Sequence, residues 1–590
     1  MEPVKQIISG GQFLTSEIEA DSIFTPEDRT DEHKMIAATA RQFITREIHP
    51  NRKRIEDGDY DLVAEKMKIA GGLGLLGHSI PETFGGLGLD KISKGIVGES
   101  LGNASGYSVA HSNHTCIATL PITYFGTTEQ KRKYLPKLAS GEYIGAYCLT
   151  EPEAGSDALS AKTTAKLNEA ETHYLLNGTK IYITNAAFSD TFIVYAKVEG
   201  EHFTAFIVEK DFPGLFIGPE EDKMGIKGSS TCSVVMEDCK VPVENLLGEI
   251  GKGHLIALNV LNLGRFNLGF ATSGAAKSCF QLAIEHTKER KQFGRSIADF
   301  YASKEKFALM ASQIYGTESL LYRTAGHIES SLGNYYESED RMATAKAMNE
   351  HKLESAICKV TGSETLNDVV DEALQLHGGA GFIKEYPIEQ AYRDSRINRI
   401  FEGTNEINRL LIPGSFFQKV AKGEFDAESL MEKAEYSLKN GSYKSGDGEL
   451  GRCKEAVLLF KDLFLVTAGT AYRTFGKTIQ NEQETLMKLA DITIEIYRAE
   501  SAVLRTEKAF SQKDDRKKLK ELLTLNVVEQ SALTVHKSVL ALFSSLLQGE
   551  ERRKALRNVA ALLSECQFEG SLERNRKIAD EMIDAGQYVS

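Results

Sequence analysis

Apolar side chains recur at Leu525, Val528, Ala532, Val535, Val539, Leu542 and Leu546, in alternating steps of three and four. That spacing predicts one face of an α-helix. A stripe held over three heptads suits a coiled coil or a seam inside a helix bundle, and the bundle is the expected form. Proline usage extends the helical reading. All twelve prolines lie at or before Pro413, and none falls between Pro242 and Pro387. Long proline-free stretches with a 3.6-residue period predict helices.

The pattern changes between about residue 146 and 250, where short β-rich runs (TFIVYAKV, FTAFIVEK, SSTCSVVMEDCKV) are separated by Gly, Pro and Asp. In HYLLNGTKIYITNA the Asn177-Gly178 pair stands between two such runs, which predicts a hairpin turn. Residues 440–448, NGSYKSGDG, form a polar Gly/Ser run without apolar periodicity and are expected to link domains. The expected fold is α+β and mostly α. A helical domain (25–145) precedes a small antiparallel β-domain (146–255) and a second helical domain (256–420). A linker region (421–448) and an all-helical extension (449–590) follow, and no internal repeat is evident.

A chain of 590 residues is too long for a single core, in keeping with several domains. The net charge of −13 argues against nucleic acid or an anionic membrane as the main partner. No apolar run approaches the roughly 20 residues that a membrane helix needs. The opening MEPVKQIISGGQFLTSEIEADSIF has neither a signal-peptide core nor an Arg-rich amphipathic pattern, and QYVS is no peroxisomal address. Eight cysteines are scattered without a CxxC pair, as suits free thiols in a reducing compartment. Cytoplasm is the expected location.

GGLGLLG (71–77) contains G-x-G-x-x-G, but the segment before it reads as helix and the chain then runs to Pro81. A dinucleotide site needs a strand there, so a helix C-cap and turn are expected instead. His111 and His114 of HSNH are too few for a metal site, and none is expected. Lys513, Arg516, Lys517, Lys518 and Lys520 alternate with Asp514 and Asp515, which reads as a solvated face. In AYCLTEPEAGSDA (146–158), free backbone N–H groups and a hydroxyl on a Gly-bearing bend suit an anionic or flavin-like ligand. RIFEGTN (399–405) places Glu402 after an apolar pair. Taken locally, it is either a helix-start anion or a base shielded from water.

These stretches do not stand alone. YCLTEPEAGSD, KIYITNA (180–186), ERKQFGRSI (289–297), ALQLHGGAGFIKEYPIEQAYRDSRI (373–397) and IFEGTNEI (400–407), with PETFGGLGLD (81–90) and GTTEQKRKYLPKLASGE (126–142), closely resemble the acyl-CoA dehydrogenase family. The motifs occur in the family's order from about residue 25 to 420.

The resemblance implies an FAD enzyme that oxidises an acyl-CoA thioester to the 2,3-enoyl-CoA. It implies that Tyr147, Leu149, Thr150, Gly155 and Ser156 line the flavin, with Ser156 also near substrate, and that Tyr182 and Thr184 meet the isoalloxazine ring. Tyr182 stands where the commonest family pattern has Trp; this chain has no Trp. Arg290, Gln292, Phe293, Gln375 and Gly379 match positions that hold the adenine and pyrophosphate end from a neighbouring subunit, and Thr404 and Glu406 match further cofactor positions. Glu402 matches the base that takes the α-proton, with Asn262, Arg265 and Gly403 at substrate positions. Some branches carry the base in the LNLGR segment, where this chain has Gly264. Desolvation should raise the carboxylate's pKa, and the nearby helix start should oppose that rise.

IFEGTNEI with Phe401, LNLGRF and the extension together resemble the very-long-chain type. That likeness implies fatty-acid β-oxidation, electron-transfer flavoprotein as acceptor, a homodimer, and peripheral membrane contact through the extension. An oxygen-using acyl-CoA oxidase and a non-catalytic assembly protein on the same fold are the alternatives.

Overall fold

The computed structural model describes residues 8–441, 443 and 448–590. Seven helices come first: α1 (Asp31–Phe43), α2 (Arg52–Glu56), α3 (Tyr60–Gly72), α4 (Lys91–Leu101), α5 (Gly106–Asn113), α6 (Leu120–Phe125) and α7 (Thr128–Ser140). Helix α3 ends at the glycine run, with Gly74 at φ +77°, so GGLGLLG is a helix end and turn. The two histidines of HSNH are buried structural residues. His111 Nε2 meets the Leu75 carbonyl at 3.1 Å, and His114 bridges the Leu138 carbonyl (2.9 Å) and the Gly145 amide (3.0 Å).

A sheet follows, built from β1 (Gly145–Cys148), β2 (Thr164–Leu167), β3 (His173–Thr184), β4 (Thr191–Val198), β5 (His202–Glu209), β6 (Leu215–Glu220), β7 (Thr231–Pro242) and β8 (Leu246–Leu247). Its order is β6-β7-β3-β2-β4-β5-β8, with β1 beside β4. Most neighbours are antiparallel. The β1–β4 and β2–β4 pairs are parallel, which makes the sheet mixed. Strand β4 is buried almost throughout, as its unbroken apolar run demands.

The hairpin expected at Asn177-Gly178 does not form. Strand β3 runs straight through that pair, and the register against β7 slips between Leu176 and Gly178. A Cβ at Gly178 would lie 2.5 Å from Thr163 Oγ1, so the glycine serves a bulge and a close strand approach.

Beyond the sheet, α8 (Gly253–Glu289) packs along α9 (Tyr301–Leu332) and α11 (Lys352–His377); α10 (Arg341–Glu350), α12 (Pro387–Ser395) and α13 (Asn405–Ala421) complete this bundle. The 421–448 region is not simply a linker: α14 (Ala427–Asn440) occupies half of it and packs on α15 (Gly448–Phe475). The polar run assigned as a linker falls largely on residues 442 and 444–447, outside the described residues. Helices α16 (Gln483–Ser511), α17 (Lys517–Leu546), α18 (Gly549–Ser564) and α19 (Ser571–Ala585) finish the extension. In α17 the stripe from Leu525 to Leu542 is buried within the bundle.

The extension is joined to the core by charge as well as apolar surface. Arg505 of α16, almost fully buried, donates from Nη2 to Glu27 (2.7 Å) and from Nη1 to Glu318 of α9 (2.7 Å). Lys520 departs from the expected solvated face: it is 1% exposed and pairs with Asp514 (3.2 Å) and Glu27 (3.4 Å). Among the described residues, no helix is long and apolar enough to cross a membrane.

Candidate active site

Glu402 lies between a short 3₁₀ turn (Arg396–Arg399) and α13, two residues before the helix N-cap. Thr404 is that cap, its Oγ1 accepting from the Ile407 amide at 3.2 Å. Glu402 and Gly403 take φ of +57° and +78° in succession. A left-handed non-glycine residue costs on the order of 1 kcal/mol and persists only when its surroundings hold it. Here Asn408 Nδ2 donates to the carbonyls of Gly403 (2.8 Å) and Thr404 (3.0 Å), and Arg265 Nε donates to the Glu402 carbonyl (3.3 Å). A Cβ at Gly403 would stand 3.2 Å from that same Asn408 nitrogen.

The turn drives the carboxylate against α8 at Gly264, where an added Cβ would lie 3.0 Å from each Glu402 oxygen. Glycine at this position therefore makes the room that the Glu402 carboxylate occupies. Glu402 as a residue is partly exposed, but its Oε2 is enclosed and has no hydrogen-bond partner among the described residues. Burial pushes the carboxyl up to about 7, against the pull of Arg265 and Lys359. The opposition comes from these two cations.

Arg265 Nη1 donates to Asn262 Oδ1 at 3.0 Å, one turn back on α8, and both are buried. Lys359, fully buried on α11, donates to Asn405 Oδ1 at 2.7 Å. Burial lowers its amine to about 7; Glu402 raises it and Arg265 lowers it further. The buried Tyr147 hydroxyl, near Glu402 and Arg265, has no partner at hydrogen-bond geometry among the described residues, and its ring lies edge-on to Tyr195 at 5.3 Å. Burial lifts its pKa well above the usual range.

The sheet presents a second surface. Buried Lys180 donates to Glu151 Oε1 (2.6 Å) and to the Leu149 carbonyl (3.3 Å), fixing the bend after β1. The Thr150 carbonyl accepts from the Ile181 amide at 3.0 Å, so Leu149 and Thr150 lie beside Tyr182 and Thr184. Tyr182 has φ +58°, at a register slip between Lys180 and Ile183, and its ring is 64% exposed. Gly155 and Ser156 are exposed on the following bend, and a Cβ at Gly155 would meet nothing within 4 Å. An open aromatic face, free bend backbone and the unpartnered Glu402 and Tyr147 oxygens fit a planar flavin with its substrate.

Arg290, Gln292 and Phe293 lie apart, exposed on the turn after α8; Phe293 is 94% exposed. Gln375 and Gly379 are exposed at the end of α11. His286 and His377 stack at 4.3 Å and bring these two helix ends together. At about 1.5 Å per residue, Arg290 stands roughly 39 Å along α8 from Gly264, so this group does not share one pocket with Glu402. Glu406 is exposed in the first turn of α13. The motifs did not point to Lys359, Asn405 or Asn408. Lys359 stood out only as a single charge between apolar Ile357 and Val360 in a helical run.

An enclosed carboxyl raised to about 7, beside an open aromatic face, is an arrangement able to take up a proton from a flat ligand held there. Models of the acyl-CoA dehydrogenase N-terminal, middle and C-terminal domains match residues 30–142, 146–239 and 251–415, and a further acyl-CoA dehydrogenase C-terminal domain matches 459–561. The chain belongs to the acyl-CoA dehydrogenase family, whose members are FAD-dependent oxidoreductases. It is 46% identical over 588 residues to a Bacillus subtilis (strain 168) chain named probable acyl-CoA dehydrogenase, covering 98% of each. It is 33% identical over 574 residues to the very long-chain specific mitochondrial enzyme of Bos taurus, covering 92% of this chain and 84% of that one. An acyl-CoA dehydrogenase from Bacillus anthracis, crystallised with FAD, superposes with a TM-score of 0.96 at 45% identity, covering 99% and 100% of the two chains. A chain in the structure of the electron transferring flavoprotein of Acidaminococcus fermentans matches with a TM-score of 0.59 at 35% identity, covering 66% of this chain and 98% of that one.

Proposed function

We propose that this protein converts a long-chain acyl-CoA to the trans-2-enoyl-CoA in fatty-acid β-oxidation, in the cytoplasm, passing electrons to an electron-transfer flavoprotein. One observation carries the reading: the Glu402 carboxyl is enclosed, its Oε2 has no hydrogen-bond partner among the described residues, and burial raises its pKa to about 7. A base poised there accepts a proton near neutral pH, and general bases contribute about 10²–10⁴-fold. FAD, when bound, supplies the acceptor for the β-hydrogen as hydride. Tyr147, Leu149, Thr150, Gly155, Ser156, Tyr182, Thr184, Thr404 and Glu406 would hold the cofactor, with Asn262, Arg265, Gly403 and Ser156 toward substrate. Arg265 fixes the Glu402 turn through its carbonyl and tempers the rise in its pKa.

The long-chain reading is supported by likeness to the very long-chain specific enzyme over most of both chains, and the electron acceptor by likeness to the Acidaminococcus chain. A homodimer is supported by the separation along α8. Arg290, Gln292, Phe293, Gln375 and Gly379 would serve the cofactor of a second copy, since a single dinucleotide does not span the roughly 39 Å to Glu402. Exposed Leu533 and Leu572 on the extension support peripheral membrane contact.

Glu402→Gln tests the assignment. The variant should retain FAD and bind acyl-CoA but lose at least a hundredfold in dehydrogenation with an artificial acceptor; substantial residual activity would refute it. A chain-length series on the native enzyme tests the long-chain reading. Strong peroxide release without acceptor would favour an oxidase.

A further inference from the structure

Glu402 sits on a closed circuit of contacts between three helices. Its carboxylate rests on Gly264 of α8, where an added Cβ would lie 3.0 Å from each oxygen. Further along α8, Gly269 meets α11 so closely that a Cβ at Gly362 would stand 2.9 Å from the Gly269 Cα. The next residues of α11, Ser363 and Glu364, grip Asn405, which opens α13. Asn405 Nδ2 donates to Glu364 Oε1 (2.9 Å) and Ser363 Oγ (3.1 Å), and its Oδ1 accepts from Lys359 Nζ (2.7 Å). Just before Asn405 the chain is back at Glu402. Helix α13 is thereby registered against α8 through α11, and that register fixes the left-handed turn that aims the carboxylate.

Arg409, one turn further along α13, tightens the circuit. Its Nη1 and Nη2 donate to Oε1 and Oε2 of Glu364 at 2.7 and 2.8 Å, so Glu364 holds α13 through both Asn405 and Arg409. Arg409 Nε donates to Asp491 Oδ1, on α16 of the extension, at 2.7 Å. A guanidinium is planar, and carboxylates on two helices here fix its orientation. Without Asp491 the plane can swing about Glu364, and the grip on Asn405 loosens with it. The pair adds little to the docking of the extension as such. The Asp491 and Glu364 side chains are each 32% exposed and border a polar cavity of about 300 Å³ that Thr361 and Arg498 also line. An ion pair left partly open to water contributes little to stability. The buried Arg505 pairs and the shared apolar cluster dock the extension instead.

We propose that Asp491 is a positioning residue for the proton-abstraction step, keeping the Glu402 carboxylate in place through Arg409, Glu364 and Asn405. The extension takes part in catalysis in this way without contributing a group to the site. This rests on the acyl-CoA dehydrogenase reading given above, with Glu402 as the base. A misplacement of 1 Å at a reacting group can cost about a hundredfold in rate, so even the smaller shift that a loosened α13 allows is measurable.

The test uses FAD-loaded full-length protein, an artificial electron acceptor and the acyl-CoA that the native protein turns over fastest, with kcat expressed per bound flavin. Asp491→Ala should lower kcat about fivefold or more on the plateau of the pH profile, while KM stays within about twofold and Tm stays near the native value. Asp491→Asn keeps an acceptor for Arg409 Nε and should retain about half of the native kcat or more. In an Asn405→Ala background, which already lacks the grip, adding Asp491→Ala should change kcat by less than about twofold. An unchanged kcat per flavin in Asp491→Ala overturns the proposal, whether or not Tm falls. Equal losses in Asp491→Asn and Asp491→Ala, or a full loss on top of Asn405→Ala, overturn it too. Each of these leaves the dehydrogenase reading intact, whereas a native protein that turns over no acyl-CoA overturns both. Should Asp491→Ala fail to load FAD, Arg409→Lys, which keeps the charge and loses the fork, is read in its place by the same criteria.

Discussion

Lys359 is the most informative residue to perturb, because it acts on the base without facing the substrate surface. Methionine keeps much of its length and removes its charge. Glu402 has a pKa of about 7 with both Arg265 and Lys359 pulling it down, so losing one cation must move it upward. Lys359 is itself lowered to about 7, chiefly by burial, with Glu402 pulling the other way. With a base at about 7, roughly half of the enzyme carries the active carboxylate at pH 7. Each unit of rise corresponds to about 1.4 kcal/mol and leaves about a tenth of it active at that pH. One unit therefore lowers kcat/KM about fivefold at pH 7 and hardly at all near pH 9. The assay is kcat/KM against pH from about 5.5 to 9.5, which reports the free enzyme. The acid limb should have its midpoint near 7 in the native enzyme and higher in Lys359→Met, with plateaus agreeing within about twofold. A uniform loss at every pH with an unmoved midpoint would refute the reasoning. It would leave Lys359 as a support for Asn405, to which it donates at 2.7 Å.

Gly264→Ala puts a Cβ 3.0 Å from both Glu402 oxygens, so it should displace the base and lower kcat about a hundredfold while flavin content stays unchanged. Arg505→Met removes the buried guanidinium that Glu27 and Glu318 share, leaving Lys520 at 3.4 Å from Glu27 and Lys277 at 2.5 Å from Glu318 as the remaining cations among the described residues, and should cost about 3 kcal/mol, seen as a lower Tm by calorimetry. Burial alone would raise the Glu27 carboxyl, yet Arg505 and Lys520 hold it down to about 2. Its contribution to stability is thus complete above the unfolded value of about 4.5 and is lost as pH falls toward 2. The loss of Tm on acidification from pH 6 to 3 should be smaller in Arg505→Met than in the native chain.

Legibility followed locality. The α17 stripe could be read because its period is a property of one helix, and the FEGTNEI segment because its residues are contiguous. Asn177-Gly178 misled because the need for glycine came from Thr163 on another strand, which no local pattern reveals. Helix α14 was hidden by its place next to the polar run, although Leu430, Met431, Ala434 and Leu438 recur at helical spacing and pack toward α15. Lys520 looked solvated because its partner Glu27 lies at the other end of the chain. Lys359 was hardest to see: a lone lysine in an apolar helical run ordinarily reaches to solvent, and only the tertiary packing shows that this one does not.

The arginine that joins α16 to Glu27 also sets a schedule. The two residues are separated by 478 positions. At roughly 5–20 residues per second of synthesis, Arg505 appears about 25–100 s after the carboxylate it neutralises. Throughout that interval the Glu27 carboxylate stays hydrated, beside a core face that α16 has yet to cover. Completion of the catalytic core is thereby tied to translation of the extension. A ribosome that stalls between the two would release a chain whose dehydrogenase motifs are all present but whose first segment has nowhere to dock.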